Sequence, residues 1–445
     1  MPNDLPALED KLEWQTEKMR ILEHICKCEM PHIMGVHGDW GSGKTSFMRQ
    51  LEKLLKERLL PNGEPLDLPD TIIPIWFDAW QYQNEPVPVV ALLHEIRRQM
   101  QGIERLKAKF EEIGTIALYS LLDGVSGISR AIGLEGISAE KIEQHAEKWE
   151  QQHHAQALAS DTIRNQLKKT IQCLLPTKEY RLAVFIDDLD RCNPKAAFRL
   201  LEGLKIYLSI PNCVFILGMN ERILVDAIRE EISAPKDTSG EELKLRAAHY
   251  LEKICTDIYR LPIPNDPLKF LLHFIPDENH KTALRCAILN KKSDSKPAIP
   301  CLPPNPRRLK ALARQWLCFS QYLDFPEENT EQQKYWAARI LIAAYVHQFH
   351  RDLWERWHFN PDFFMQISAW CNNQITEETH DKYKWIGALK LSGKQNNDGT
   401  WTSGFPNPGD IDTFWMDSLI NEHPNLVARD FTSLLNRTRL LQTSS

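Results

Sequence analysis

The stretch from His32 to Ser46 constrains this chain more than any other. Apolar Ile33, Met34 and Val36 lead into Gly38-Asp39-Trp40-Gly41-Ser42-Gly43-Lys44-Thr45. An amphipathic segment follows, with Phe47, Leu51, Leu54, Leu55 and Leu59 along one face, and Pro61-Asn62-Gly63 stops it. Strand, glycine-rich loop and helix in that order fit G-x-x-x-x-G-K-[ST], the Walker A phosphate loop. Glycine at 38, 41 and 43 lets backbone N–H groups turn inward around a polyphosphate. Lys44 is spaced to reach the β- and γ-phosphates, and the Thr45 hydroxyl to ligate Mg²⁺. The helix beginning there aims its positive end at the phosphates. Gly38, Asp39, Trp40, Gly41, Ser42, Gly43, Lys44, Thr45 and Ser46 are therefore the candidate nucleotide-binding residues.

The second strong signal is Arg181-Leu182-Ala183-Val184-Phe185-Ile186-Asp187-Asp188-Leu189-Asp190-Arg191. An unbroken apolar run ending in two acids reads as a buried parallel strand with carboxylates at its C-terminal edge, where open α/β sheets bind ligands. Asp187 is placed to hold the metal and Asp188 to orient or deprotonate an attacking water, with Glu221 next in line. Asn193-Pro194 then opens a helix. A further buried strand over 213–217 ends near Asn220, a candidate γ-phosphate sensor. Strands are also expected over 71–77 and 257–261, with helices over 5–29, 87–100 and 240–255. The alternation predicts an α/β fold with a mainly parallel, doubly wound sheet. An acid pair on a strand separate from the phosphate-loop strand suggests the additional-strand division of P-loop NTPases, with the 213–217 strand between the other two.

The chain has 445 residues, enough for two or three domains, and is 42% hydrophobic and 26% charged, which reads as globular. A net charge of −6 argues against a surface that coats nucleic acid. The acidic start and the lack of a long apolar run predict neither a signal peptide nor a spanning helix. Ten cysteines without a C-x-x-C pair fit a reducing cytoplasm and argue against structural zinc. Cys26 and Cys28 have His24 and His32 nearby, but on a helix the two thiols point about 200° apart, so they read as buried thiols.

Three domains are expected: a P-loop domain over 1–265 with an insertion at about 101–178, a helical lid over 266–325 and an α-helical zone over 326–445. The insertion is apolar over 113–137 but interrupted by Asp123, Arg130 and Glu135, which suits a buried hairpin or shallow membrane contact rather than a span. The last zone holds Trp336, Trp354, Trp357, Trp370, Trp385, Trp401 and Trp415. Core packing is the default role for these, and a surface for a protein partner the sharper one. Asn396-Asn397-Asp398-Gly399 reads as a turn.

Four landmarks together resemble KAP-family P-loop NTPases: the loop Gly38–Thr45 with its Trp, Phe77-Asp78-Ala79-Trp80-Gln81-Tyr82 with Glu85-Pro86, Asp187-Asp188-Leu189-Asp190-Arg191-Cys192, and Asn305-Pro306-Arg307-Arg308. The resemblance covers roughly residues 5–323 and implies ATP as the nucleotide; no guanine-reading N-K-x-D stretch is present. It also implies kinship with STAND-type signalling NTPases, some bacterial relatives being implicated in phage exclusion. The family often carries membrane spans between its two Walker motifs, which this insertion lacks. It usually has Asn where this chain has Asp78, and often Asp where this chain has Asn220. The expected activity is an ATP-hydrolysing switch in which Arg307 senses the γ-phosphate from the lid and Arg191 acts as a finger across a homo-oligomer boundary. The alternative is a nucleotide-stabilised interaction module with little turnover.

Overall fold

A computed structural model describes residues 6–69, 71–84, 180–207, 212–231, 239–262, 266–289, 305–327 and 330–349, a few single positions between them, and strands at 392–395 and 401–404. The insertion at 101–178 and most of the zone beyond 355 lie outside these, and with them Trp357, Trp370, Trp385 and Trp415. The chain divides into two compact units, one over Pro6–Leu261 and the other from Pro262 onward.

The first unit is built on five parallel strands: β1 (His32–His37), β2 (Ile72–Asp78), β3 (Arg181–Asp187), β4 (Cys213–Met219) and β5 (Asp257–Arg260). Their order is β2-β3-β4-β1-β5, so β4 lies between the phosphate-loop strand and the acidic strand as the sequence predicts. The residues of each strand alternate between two cores. Leu182, Val184 and Ile186 of β3, with Phe215 and Leu217 of β4, pack into one core with α3 (Pro194–Tyr207), α4 (Glu221–Glu231) and α5 (Gly240–Ile254). Ala183, Phe185, Val214 and Ile216 face the other, with α1 (Gln15–Lys27) and α2 (Lys44–Glu57). Both faces are covered, as an all-parallel sheet requires. Asn193 caps α3 as expected, its Oδ1 accepting from the Ala196 N–H at 2.8 Å.

The N-terminal segment departs from expectation. A helix over 5–29 is predicted, yet only Gln15–Lys27 is helical. Residues 6–14 instead run as a strap along α2. The Asp10 Oδ1 accepts from the N–H groups of Leu12 (3.3 Å) and Trp14 (3.2 Å), and Glu13 adopts a positive φ of 59°, which together end any helix before α1 begins. The Gln50 amide donates to the carbonyls of Ala7 (2.8 Å) and Glu9 (3.0 Å), and the Ala7 N–H donates to Ser46 Oγ (3.0 Å). Lys18 is buried under this strap, with Nζ 2.8 Å from Asp10 Oδ2 and donating to Gln50 Oε1 at 3.2 Å. Asp10→Ala would leave that ammonium buried without its carboxylate. The variant is expected to lose on the order of 3 kcal/mol in chemical denaturation.

The second unit contains helices α6 (Pro267–Leu272), α7 (Glu278–Ile288), α8 (Pro306–Ser320) and α9 (Thr330–Phe349), and an antiparallel pair, β6 (Ser392–Gln395) and β7 (Trp401–Gly404). The turn expected between β6 and β7 lies outside the described residues. Trp336 and Trp354 are core residues: Trp336 packs edge-on against Trp316 at 5.5 Å, and Trp354 stacks on Phe319 at 5.6 Å. Among the described residues no helix is long and apolar enough to cross a membrane.

Candidate nucleotide site

The phosphate loop leaves the C-terminal end of β1 and enters α2 through Gly43, whose φ of 101° is left-handed. Only glycine tolerates that conformation readily, and an added Cβ there would also sit 3.4 Å from the buried ring of Trp14. Gly38 is required for a different reason. A Cβ there would come within 2.4 Å of Ser42 Oγ and 3.3 Å of Lys44 Cγ, so both side chains would have to shift. The Gly38 N–H donates to the Met219 carbonyl at 3.2 Å, anchoring the loop to β4. Trp40 stands 65% exposed at the loop's outer side, and Ser42 N–H donates to the Asp39 carbonyl at 3.0 Å.

Lys44 is buried. Its Nζ donates to the Gly38 carbonyl at 2.7 Å and lies 3.2 Å from Asp190 Oδ2. Asp190, in the same acidic stretch as Asp187 and Asp188, thus joins the site by geometry, which apolar periodicity does not foretell. Leu189–Arg191 form a single 3-10 turn, and that turn brings Asp190 back toward α2.

Asp187 ends β3 directly beside Asp78 of β2. The Thr45 hydroxyl and the Asp188 N–H lie near enough to favour its charged form, yet its Oδ1 is buried with no partner. Burial pushes its carboxyl above the ordinary range, and the Asp78 charge adds to that. Asp78 Oδ1 is orphaned too, while Gln81 Nε2 donates to Oδ2 at 2.9 Å. Gly218 makes room for Asp187: a Cβ there would fall 2.8 Å from its Oδ1. Buried oxygens that lack hydrogen donors, beside a hydroxyl, form the hard donor set that suits magnesium. Thr45 and Asp187, the two expected metal ligands, are thus brought together.

Asp188 adopts a left-handed backbone, φ 56°. Its Oδ1 pairs with Arg191 Nε at 2.8 Å. Burial and the neighbouring Asp187 charge raise the Asp188 carboxyl to about 6, with Arg191 opposing. Arg191 therefore has a partner within its own chain. Asn220 is buried at the end of β4, donating from Nδ2 to Asp39 Oδ1 at 3.3 Å. Its Oδ1 caps α4 by accepting from the Arg222 N–H at 3.1 Å. It therefore bridges the phosphate loop and the end of β4. Glu221, the reserve base, is held by Arg260 at 2.8 Å.

Arg307 belongs to the second unit. Asn305 caps α8 there, accepting from the N–H groups of Arg307 (3.0 Å) and Arg308 (3.2 Å), and Pro306 takes the first helical position. The Arg308 guanidinium lies over the Phe349 ring at 4.4 Å.

The profile of the KAP family P-loop domain matches residues 17–315, about two thirds of the chain. No curated protein matches the chain.

Proposed function

The chain belongs to the KAP family of P-loop domains, and from that membership we propose that it binds ATP with Mg²⁺ and hydrolyses it as a nucleotide-dependent switch. Nucleotide binding follows from the P-loop domain itself; the identity of the base and the turnover are our reading. The observation that carries it is the orphaned Asp187 Oδ1 beside Thr45, at the mouth of a loop whose lysine is already drawn inward.

Lys44 and the loop N–H groups bind and orient the polyphosphate. Thr45 and Asp187 hold the metal, which when bound neutralises charge on the phosphate oxygens. Asp188 accepts the proton of the attacking water. Asn220 links loop occupancy to α4 through Asp39 and its own cap. Arg307 in the second unit acts as the γ-phosphate sensor, so that unit reports nucleotide state to a protein partner. Arg191 exchanges Asp188 for a neighbouring subunit's nucleotide when the protein self-associates. The described cysteines are free thiols, which supports a reducing cytoplasmic setting. Bacterial antiphage defence or signalling is the setting the family resemblance favours.

One observation favours the second reading, an interaction module that binds nucleotide with little turnover. The base candidate Asp188 is engaged by Arg191. ATP turnover measured beside thermal unfolding separates the two. At about 100 times its dissociation constant, a ligand adds roughly 2.7 kcal/mol to the folded state. Millimolar ATP with Mg²⁺ is therefore expected to raise Tm by about 3–5 °C. A shift with turnover supports the switch, a shift without turnover selects the module, and no shift overturns the nucleotide site.

A further inference from the structure

The far edge of the same sheet carries a second cluster. His24 and Cys28 stand four residues apart at the C-terminal end of α1, on one face. His32 is the first residue of β1 and Asp257 the first of β5. Asp257 meets the two imidazoles, and the Cys28 thiol lies beside them. His24 Nε2 lies 3.0 Å from His32 Nε2, and Asp257 Oδ2 lies 3.4 Å from the first and 3.1 Å from the second. The Cys28 Sγ lies within 4.8 Å of both imidazole nitrogens.

Hydrogen bonds alone do not account for this triangle. Each edge needs one proton between its two atoms. If both rings donate to Asp257, the two N–H groups meet head to head at 3.0 Å. If His24 donates to His32, the bare His32 nitrogen faces a carboxylate oxygen at 3.1 Å. Every arrangement with an ionised Asp257 leaves one edge repulsive. A cation at the centre makes all three edges favourable at once. Zinc bonds of about 2.0–2.2 Å to nitrogen and oxygen put tetrahedral neighbours about 3.3 Å apart, close to the distances found. The same geometry puts sulfur about 3.6 Å from nitrogen, so the thiol has about 1 Å to close. Cys28 is in no disulfide, and its thiol makes only a long contact, 3.9 Å, to the Ile25 carbonyl.

We propose that His24, Cys28, His32 and Asp257 form a structural zinc site that staples α1 to the starts of β1 and β5. Two imidazoles, a thiolate and a carboxylate match zinc better than the all-oxygen set beside the phosphate loop does. All four positions are supplied by side chains, which marks a closed structural site rather than a catalytic one. The site is separated from the loop by the length of β1, about 20 Å. The turn after α1 is held in place independently, since Arg181 Nη1 donates to the carbonyls of Ile25 (3.2 Å) and Cys28 (3.0 Å). The divergence of Cys26 and Cys28 on a helix argues against a metal site with both thiols, but not against one that takes Cys28 alone. The structure uses Cys28 with two histidines and a carboxylate from the other end of the unit.

The test uses the full chain purified without a polyhistidine tag. It is dialysed against zinc and then against buffer, and its metal content is measured. Wild type is expected to keep about one zinc per chain, and His32→Ala and Cys28→Ser to fall to background. Cobalt in place of zinc is expected to show a thiolate-to-metal charge-transfer band that Cys28→Ser removes. Should His32→Ala fail to fold, the half-exposed Cys28→Ser and its cobalt spectrum carry the test. The proposal is overturned if wild type keeps no zinc or if Cys28→Ser keeps it unchanged with the same cobalt spectrum. It is equally overturned if Asp187→Asn alone releases the ion, which would place it at the phosphate loop.

Discussion

Lys44→Ala is expected to abolish ATP binding and to lower hydrolysis by about 10²–10³-fold or more, the cost of removing one preorganised donor to a developing charge. The structure adds a second effect. Lys44 Nζ lies 3.2 Å from Asp190 Oδ2, and both side chains are more than nine-tenths buried. Removing the lysine leaves Asp190 without its counter-charge, so the variant is also expected to be destabilised by roughly 3 kcal/mol. A loss of activity would then have two explanations. The double variant Lys44→Ala/Asp190→Asn separates them, because it removes the stranded charge as well as the lysine. Its melting temperature is expected to return toward wild type while nucleotide binding stays absent. Nucleotide titration and thermal unfolding on the same samples decide the matter. Recovery of binding in the double variant would show that Lys44 serves the fold rather than the phosphates.

The legible parts of this molecule are those in which chemistry and local spacing coincide. The glycine spacing of the phosphate loop leaves few backbone paths, and the five apolar residues before Asp187 admit little but a buried strand. Placing β4 between β1 and β3 required only that the lysine and the acids lie on different strands. The strap over 6–14 was illegible because Leu8 and Leu12 keep a helical period with Trp14 nearby. The feature that ends the helix is an Asp10 side chain bonded to backbone two and four residues ahead. Pairings made across the fold were hidden for the same reason. Asp190 meets Lys44 through a 3-10 turn and a left-handed residue, neither of which apolar periodicity records. Asp257 meets His24 and His32 only because β5 pairs with β1.

Asp188→Asn is expected to bind nucleotide normally and to hydrolyse it about 10²–10⁴-fold more slowly, the usual contribution of a positioned base. Asparagine is the right replacement because residue 188 sits at φ 56°, a conformation that Asn and Asp tolerate better than most. Its amide also keeps an oxygen toward Arg191, so the turn that carries Asp190 to Lys44 survives. A fall in activity with an unchanged melting temperature would therefore reflect the lost carboxylate and not a lost turn. The wild-type pH profile gives an independent reading. Burial and Asp187 raise the Asp188 carboxyl from 3.8 to about 6. Only the ionised form can accept a proton, so kcat/KM, which reports the free enzyme, is expected to climb as pH rises through about 6 and to level off above it. Below that pH the carboxyl is protonated and the base is lost. In Asp188→Asn the acidic limb is expected to vanish from the residual rate. Should the variant keep both full turnover and the limb near 6, the base is another carboxylate, and Glu221, freed from Arg260, is the next to replace.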